Sequence, residues 1–130
     1  MKVIDGVYIG SIGSALSKEI LKEEGITHII CAASKLNFAY PDDFIYQRYE
    51  LLDSPNCNIA KYFNEAADYI ENALKNGNGR VLVHCFAGKS RSSTLILAYM
   101  VKKCNMSLRA AYDQLRAARP IAMPNIGFKI

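Results

Sequence analysis

Apolar residues fall in short blocks separated by turn-forming residues, and the spacing inside each block differs along the chain. Val7-Tyr8-Ile9 ahead of Gly10 predicts a short first strand. Ser14 is placed to cap a helix carrying Leu16, Ile20 and Leu21 on one face, with Gly25 closing it. Ile26 to Ala32 reads as a buried strand. Phe44 to Leu52 reads as a third strand, ending where Leu52-Asp53-Ser54-Pro55 brings loop chemistry.

The second half has stronger helical periodicity. Asn58 caps a helix in which Ile59, Tyr62, Phe63, Ala66, Ile70 and Leu74 recur at three-and-four spacing, and Asn76-Gly77 ends it. Val81-Leu82-Val83 predicts a central strand buried on both faces. From Ser92 to Met100 the chain is too apolar for a surface helix, so that helix belongs in the core. Ser107 caps a last amphipathic helix carrying Leu108, Ala111, Tyr112 and Leu115, and Pro120 stops it. Strands and helices alternate, which predicts an α/β fold over residues 1–130 as a single domain. Its expected form is a central mixed sheet of about five strands with helices on both faces.

Composition narrows the picture slightly. The chain has 130 residues, 51% hydrophobic and 22% charged, enough to bury one core without staples. Sixteen basic residues against 12 acidic ones give a net charge of +4, which favours anionic ligands in general. No Lys/Arg run exceeds two, so no nucleic-acid partner is expected. Cys31, Cys57, Cys85 and Cys104 have neither zinc-ligand spacing nor a CxxC pair, and no signal peptide is apparent. Reduced thiols in a cytoplasmic or nuclear setting are the expectation. The apolar run Thr94 to Val101 is far shorter than the ~20 residues a membrane span needs. Lys2 in place of glycine rules out myristoylation, and no prenylation box is present, so no membrane anchor is expected.

The chemistry concentrates at residues 84–92, between the predicted central strand and the core helix. The stretch reads His84-Cys85-Phe86-Ala87-Gly88-Lys89-Ser90-Arg91-Ser92. A short loop entering a helix N-terminus can aim several backbone N–H groups at one anion, and the helix dipole favours negative charge there. Phe86, Ala87, Gly88, Lys89 and Ser90 supply those groups, and Gly88 permits the backbone angles a nest of N–H groups needs. Arg91 can hold two phosphate oxygens in its planar fork. The field that attracts phosphate also favours a thiolate at Cys85, whose pKa should fall well below the free value of about 8.5. Ser92 is within reach to donate a hydrogen bond to that sulfur, and His84 supports the loop from behind rather than acting as a base.

Histidine-cysteine, five residues, then arginine and serine resembles the signature of the cysteine-dependent protein tyrosine phosphatases. In the form HCxAGxSRS it is most similar to the dual-specificity branch. Residues 49–70 resemble that family's general-acid loop and following helix, and Pro124-Asn125-x-Gly127-Phe128 its closing segment, with Asn125 in a supporting role. The resemblance implies that Cys85 attacks phosphorus while Asp53 protonates the departing oxygen. Asp53 then activates water against the phosphocysteine. Asp42 and Asp43, after Pro41, compete with Asp53 for the acid's role but look like an exposed turn, and a turn-capping role is the alternative to the acid for Asp53. The resemblance implies no metal and no cofactor, a phosphorylated protein substrate, and a monomer acting on phosphoserine, phosphothreonine and phosphotyrosine. The same chemistry on a phosphoinositide, an RNA 5′ end or a glycan phosphate, and a phosphate-binding pseudo-enzyme, stand as alternatives. Arg119 is open to a second phosphate or to a solvated helix end, and Cys57 to oxidation onto Cys85.

Overall fold

Val81, Leu82, Val83 and His84 are all buried because the strand they form has a parallel neighbour on each side and helices above and below. A computed structural model of the protein describes residues 1–32, 38–49, 62–75, 79–85 and 91–119. Among these residues five strands form one sheet, β1 (Lys2–Ile4), β2 (Val7–Gly10), β3 (His28–Cys31), β4 (Ile45–Arg48) and β5 (Val81–His84), in the order β1-β2-β5-β3-β4. β1 runs antiparallel to β2, and the other pairs are parallel, so the sheet is mixed as the alternation predicts.

The β1–β2 hairpin is an addition to the sequence reading. Asp5-Gly6 is a two-residue hairpin turn of the kind that demands positive φ, and Gly6 sits at φ +79°. The strand before it has three residues, too few for alternation to register.

Period-two alternation sorts the sheet into two faces. Val7, Ile9, Ile30, Val81 and Val83 turn toward α3 (Phe63–Lys75), α4 (Arg91–Lys103) and α5 (Leu108–Ala118). Tyr8, Ile29 and Leu82 turn the other way, against Ala15, Leu21 and Phe44. The expected helices on both faces are therefore present. α4 lies within the larger layer and is buried from Ser92 to Met100, while α3 buries the stripe Phe63, Ala66, Ala67, Ile70 and Ala73.

The predicted helix from Ser14 splits in two. α1 (Ile12–Ala15) ends at Leu16, and α2 (Lys18–Glu23) restarts after Ser17, whose ψ of 88° is not helical. That break changes the phase of the apolar positions, so Leu21 is buried while Leu16 and Ile20 remain 54% and 48% exposed. Gly25 closes α2 at φ +74°, with Ile26 N–H reaching back to the Leu21 carbonyl at 2.9 Å. The strand expected over 44–52 is β4, and residues 50–52 lie outside the described residues, as do Asn58, Asn76-Gly77 and Pro120. No helix among the described residues is long and apolar enough to cross a membrane.

Among the described helix starts, that of α5 is fixed by a side-chain cap in the expected place. Ser107 has extended backbone and its hydroxyl oxygen accepts the Ala110 N–H at 3.1 Å. Ser107→Ala should lower unfolding stability by about 1 kcal/mol. A chemical-denaturation midpoint shift with unchanged slope would report it, and Ser107→Asp should restore most of the loss.

Candidate active site

β5 delivers Cys85 to the carboxyl end of the sheet, and α4 begins six residues later at Arg91. Cys85 is 2% exposed and belongs to the layer shared with α4. Its sulfur lies 3.3 Å from the Ser92 hydroxyl oxygen, and Ser92 is itself fully buried. A serine one residue into the helix thus reaches back to the residue that leaves the strand. The distance suits a hydrogen bond to sulfur in which the hydroxyl donates once the thiol has lost its proton.

The electrostatics of α4 favour that ionisation. The helix has 13 residues, no acidic side chain in its first turn, and Lys102 and Lys103 in its last. Its positive end therefore carries the Cys85–Ser92 pair with no carboxylate of its own first turn to compete, and the lysines neutralise the other end. Arg91, half-buried, is the first helical residue and sits on the same turn as Ser92.

His84 points to the opposite face of the sheet from Cys85. It is 5% exposed and borders a pocket with about 320 Å³ of empty space, part of it open to solvent, together with Ile12, Ala15, Cys31 and Tyr46. Burial pushes its pKa below the ordinary 6.5, and a hydrogen bond with the Cys85 backbone works against that shift. The imidazole is therefore neutral near pH 7 and turned away from the sulfur. Gly10 makes this backing possible. It pairs with His84 across the sheet, and a Cβ there would fall 2.9 Å from the Ser14 Cβ, so only glycine lets α1 lie against the strand ends. The sequence reading passed over this wall. Its one visible sign is a glycine placed directly before a helix start.

The described residues thus bring Cys85, Ser92 and Arg91 to one junction, with His84 behind it. Asp53, Cys57, Phe86, Ala87, Gly88, Lys89, Ser90 and Asn125 lie outside the described residues. Of the carboxylates weighed against Asp53, Asp43 is bound to Lys18 at 2.9 Å and Lys22 at 3.2 Å. Hydrogen bonds from Lys18 and then Lys22 hold its pKa below the usual carboxylate range. A carboxylate so held keeps no proton to donate near neutral pH, and its task is to fasten the 41–44 turn to α2. Arg119 ends α5 and lies with its guanidinium 3.7 Å from the Met1 sulfur.

A sulfur at a strand-to-helix junction, backed by a neutral imidazole and followed by arginine and serine, is the arrangement of a cysteine-dependent phosphatase. Comparison with known proteins specifies it further. Residues 7–130 match the family model described as the dual specificity phosphatase, catalytic domain, and the chain belongs to that family. Over 123 residues it is 46% identical to dual specificity protein phosphatase 1 of Arabidopsis thaliana, which covers 95% of this chain and 62% of that protein. It is 41% identical to dual specificity protein phosphatase 1B of the same plant, covering 98% of this chain and 75% of the relative. The chain thus spans about three-fifths of the first relative's length. Among solved structures, the human tyrosine phosphatase-like serine/threonine/tyrosine-interacting protein superposes with a TM-score of 0.90 at 32% identity, covering 98% of this chain and 88% of that one.

The depressed histidine has a measurable consequence. Below its ordinary pKa of 6.5 the unfolded chain binds a proton that the folded state, with its lower value, refuses. The His84 contribution to stability is therefore intact above that value and is lost as pH falls below it. Half-buried His28, its pKa also lowered by burial, acts in the same direction. The thermal midpoint should drop between about pH 7 and about pH 5, and His84→Gln should drop less over that range. An equal or steeper drop in the variant would show that His84 is protonated in the fold.

Proposed function

We propose that this chain is a catalytic domain, one unit over residues 1–130, that hydrolyses phosphoserine, phosphothreonine and phosphotyrosine monoesters on proteins through a phosphocysteine intermediate. The observation that carries this reading is the buried Cys85–Ser92 pair, 3.3 Å apart at the positive end of α4. Cys85 is the nucleophile, and Arg91 with the N–H groups of residues 86–90 holds the three non-bridging phosphate oxygens. Asp53 gives its proton to the departing oxygen, so that alkoxide or phenolate leaves as the alcohol. It then takes a proton from water as that water attacks phosphorus. The sulfur leaves as thiolate, and Ser92 donates a hydrogen bond to it. Phosphoryl transfer has a loose transition state, so positioning and charge stabilisation carry most of the acceleration.

Family membership supports a phosphoprotein substrate over a phosphoinositide, an RNA end or a glycan phosphate. The pseudo-enzyme reading is weaker for a chemical reason. A binding module needs the cradle and its arginine, whereas a serine placed on the sulfur helps only when sulfur must depart. The domain works as a monomer in the cytoplasm or nucleus, where its thiols stay reduced, without metal or cofactor.

Cys85→Ser should reduce turnover of 4-nitrophenyl phosphate by at least about 10³-fold while leaving phosphopeptide binding intact. Measured phosphatase activity near the wild-type rate would reject the nucleophile. The same variant should retain phosphoproteins from a lysate in a form that vanadate releases.

Asp53→Asn tests the acid. An alkyl phosphate, whose leaving group needs a proton, should lose about 10²-fold or more, and 4-nitrophenyl phosphate distinctly less. Equal losses on the two esters would assign the acid to another residue.

A further inference from the structure

The carboxyl end of the sheet carries a second feature beside the nucleophile. β2, β3 and β5 run parallel and end at Gly10, Cys31 and His84, which share one row of the register, and Cys85 follows directly. In open α/β sheets ligands bind in the crevice outside the carboxyl ends of the strands. Cys85 turns to one side of that row, into the layer of α4. On the other side lies the partly open cleft bordered by His84, Cys31 and Ile12, with Leu16, Phe38 and Tyr46 around its mouth.

That mouth is apolar and ordered. Leu16 is 54% and Phe38 36% exposed, although both side chains are large and apolar. Single exposed apolar residues are ordinary on a protein surface, whereas several around one opening mark a binding groove. The Phe38 ring stacks on Tyr46 with centroids 4.6 Å apart, and the Arg48 guanidinium lies 4.7 Å from the Phe38 centroid. Leu16 is held through its carbonyl, which accepts a hydrogen bond from the Tyr40 hydroxyl. An apolar surface ordered before binding loses little entropy when a partner arrives. Among the described residues that border the cleft none is charged near pH 7, since burial keeps His84 neutral.

Two neighbouring places thus ask for different chemistry, an anion at Cys85 and an uncharged apolar group at the cleft. A phosphorylated peptide with an apolar residue close by satisfies both. An extended peptide advances about 3.3 Å per residue, so a side chain two or three positions from the phosphorylated one lies about 7–10 Å away. That span carries it from Cys85 over the end of β5 to Leu16 and Phe38.

We propose that the cleft between Leu16 and Phe38 is a specificity subsite that takes an apolar side chain of the substrate, two or three residues from the phosphorylated one. The inference rests on the reading of the chain as a protein phosphatase. Leu16 and Phe38 touch the substrate but not the reacting phosphorus, so they govern which phosphoprotein is chosen and not how the bond breaks.

The experiment measures kcat/KM on 4-nitrophenyl phosphate and on phosphotyrosine peptides carrying leucine, serine or lysine two or three residues before or after the phosphotyrosine. For the unaltered chain, leucine at one of these positions should raise kcat/KM about 10-fold over serine, and lysine should bring no gain. Leu16→Ser should bring the leucine-to-serine ratio there to within about twofold, and Leu16→Met, which returns an apolar side chain, should recover it. Leu16→Glu should reverse the order so that the lysine peptide exceeds the leucine peptide, a result that damaged folding does not produce. No leucine preference at any of the positions, a preference that survives Leu16→Ser, or no reversal in Leu16→Glu would each overturn the inference. Turnover of 4-nitrophenyl phosphate without any peptide preference removes the subsite and leaves the chemistry standing. Failure of the unaltered chain on 4-nitrophenyl phosphate and on every peptide would overturn the phosphatase reading, and this inference with it.

Discussion

The structure depends on a buried sulfur being acceptable at the end of a buried strand. Burial ordinarily favours the neutral thiol, since a charge taken out of water loses its solvation. Here the strand hands Cys85 to the positive end of a long helix, with a hydroxyl at 3.3 Å and no acidic side chain in the first helical turn. A hydroxyl donor and a helix N-terminus are groups that favour a charged sulfur over a neutral one. The rest of the fold serves that junction. β5 has to be central so that its end is shielded, and α4 has to be buried so that its dipole acts through protein rather than solvent.

Much of this was legible because the site and the core use the same residues. Val81-Leu82-Val83 announces a doubly covered strand, and the apolar run after Ser92 announces a core helix. Between them the motif then has one physical setting available. The losses were local. Three-residue β1 is too short for a period, although Asp5-Gly6 marked its turn. The break at Ser17 was hidden because a serine inside a helical pattern and a serine capping a new helix look alike until backbone angles are known. Asp43 is the exposed turn acid that its place after Pro41 predicts, but its hold on Lys18 and Lys22 was not legible, because those lysines are more than twenty residues away in sequence. Periodicity describes neighbours on one element. It carries nothing about which turn folds onto which helix.

The same limit hides the contact between Tyr49 and Tyr62, whose ring centroids lie 5.3 Å apart. In sequence Tyr49 is one more aromatic residue in a strand and Tyr62 one position in a helical stripe. Their contact joins the residue that follows β4, whose N–H donates to the Cys31 carbonyl at 3.0 Å, to the residue that precedes α3. Parallel strands in fixed register assign each residue a partner at a set distance, so Tyr49 at one edge stands in a defined relation to Cys85 two strands away.

The polar groups gathered at this end of the sheet come at a cost to the fold. His84 is held neutral by burial, Ser92 is turned to sulfur, and the Ser93 hydroxyl is buried without a hydrogen-bond partner among the described residues. An apolar core of the same shape would be more stable, because each such group forgoes water for partial compensation. A similar cost falls at the other end of β3, where the Tyr69 hydroxyl is buried without a hydrogen-bond partner among the described residues beside half-buried His28, while the mid-sheet positions around Val7, Ile30 and Val83 are uniformly apolar. The apolar middle supplies the cohesion that lets polar groups at the strand ends stay imperfectly satisfied.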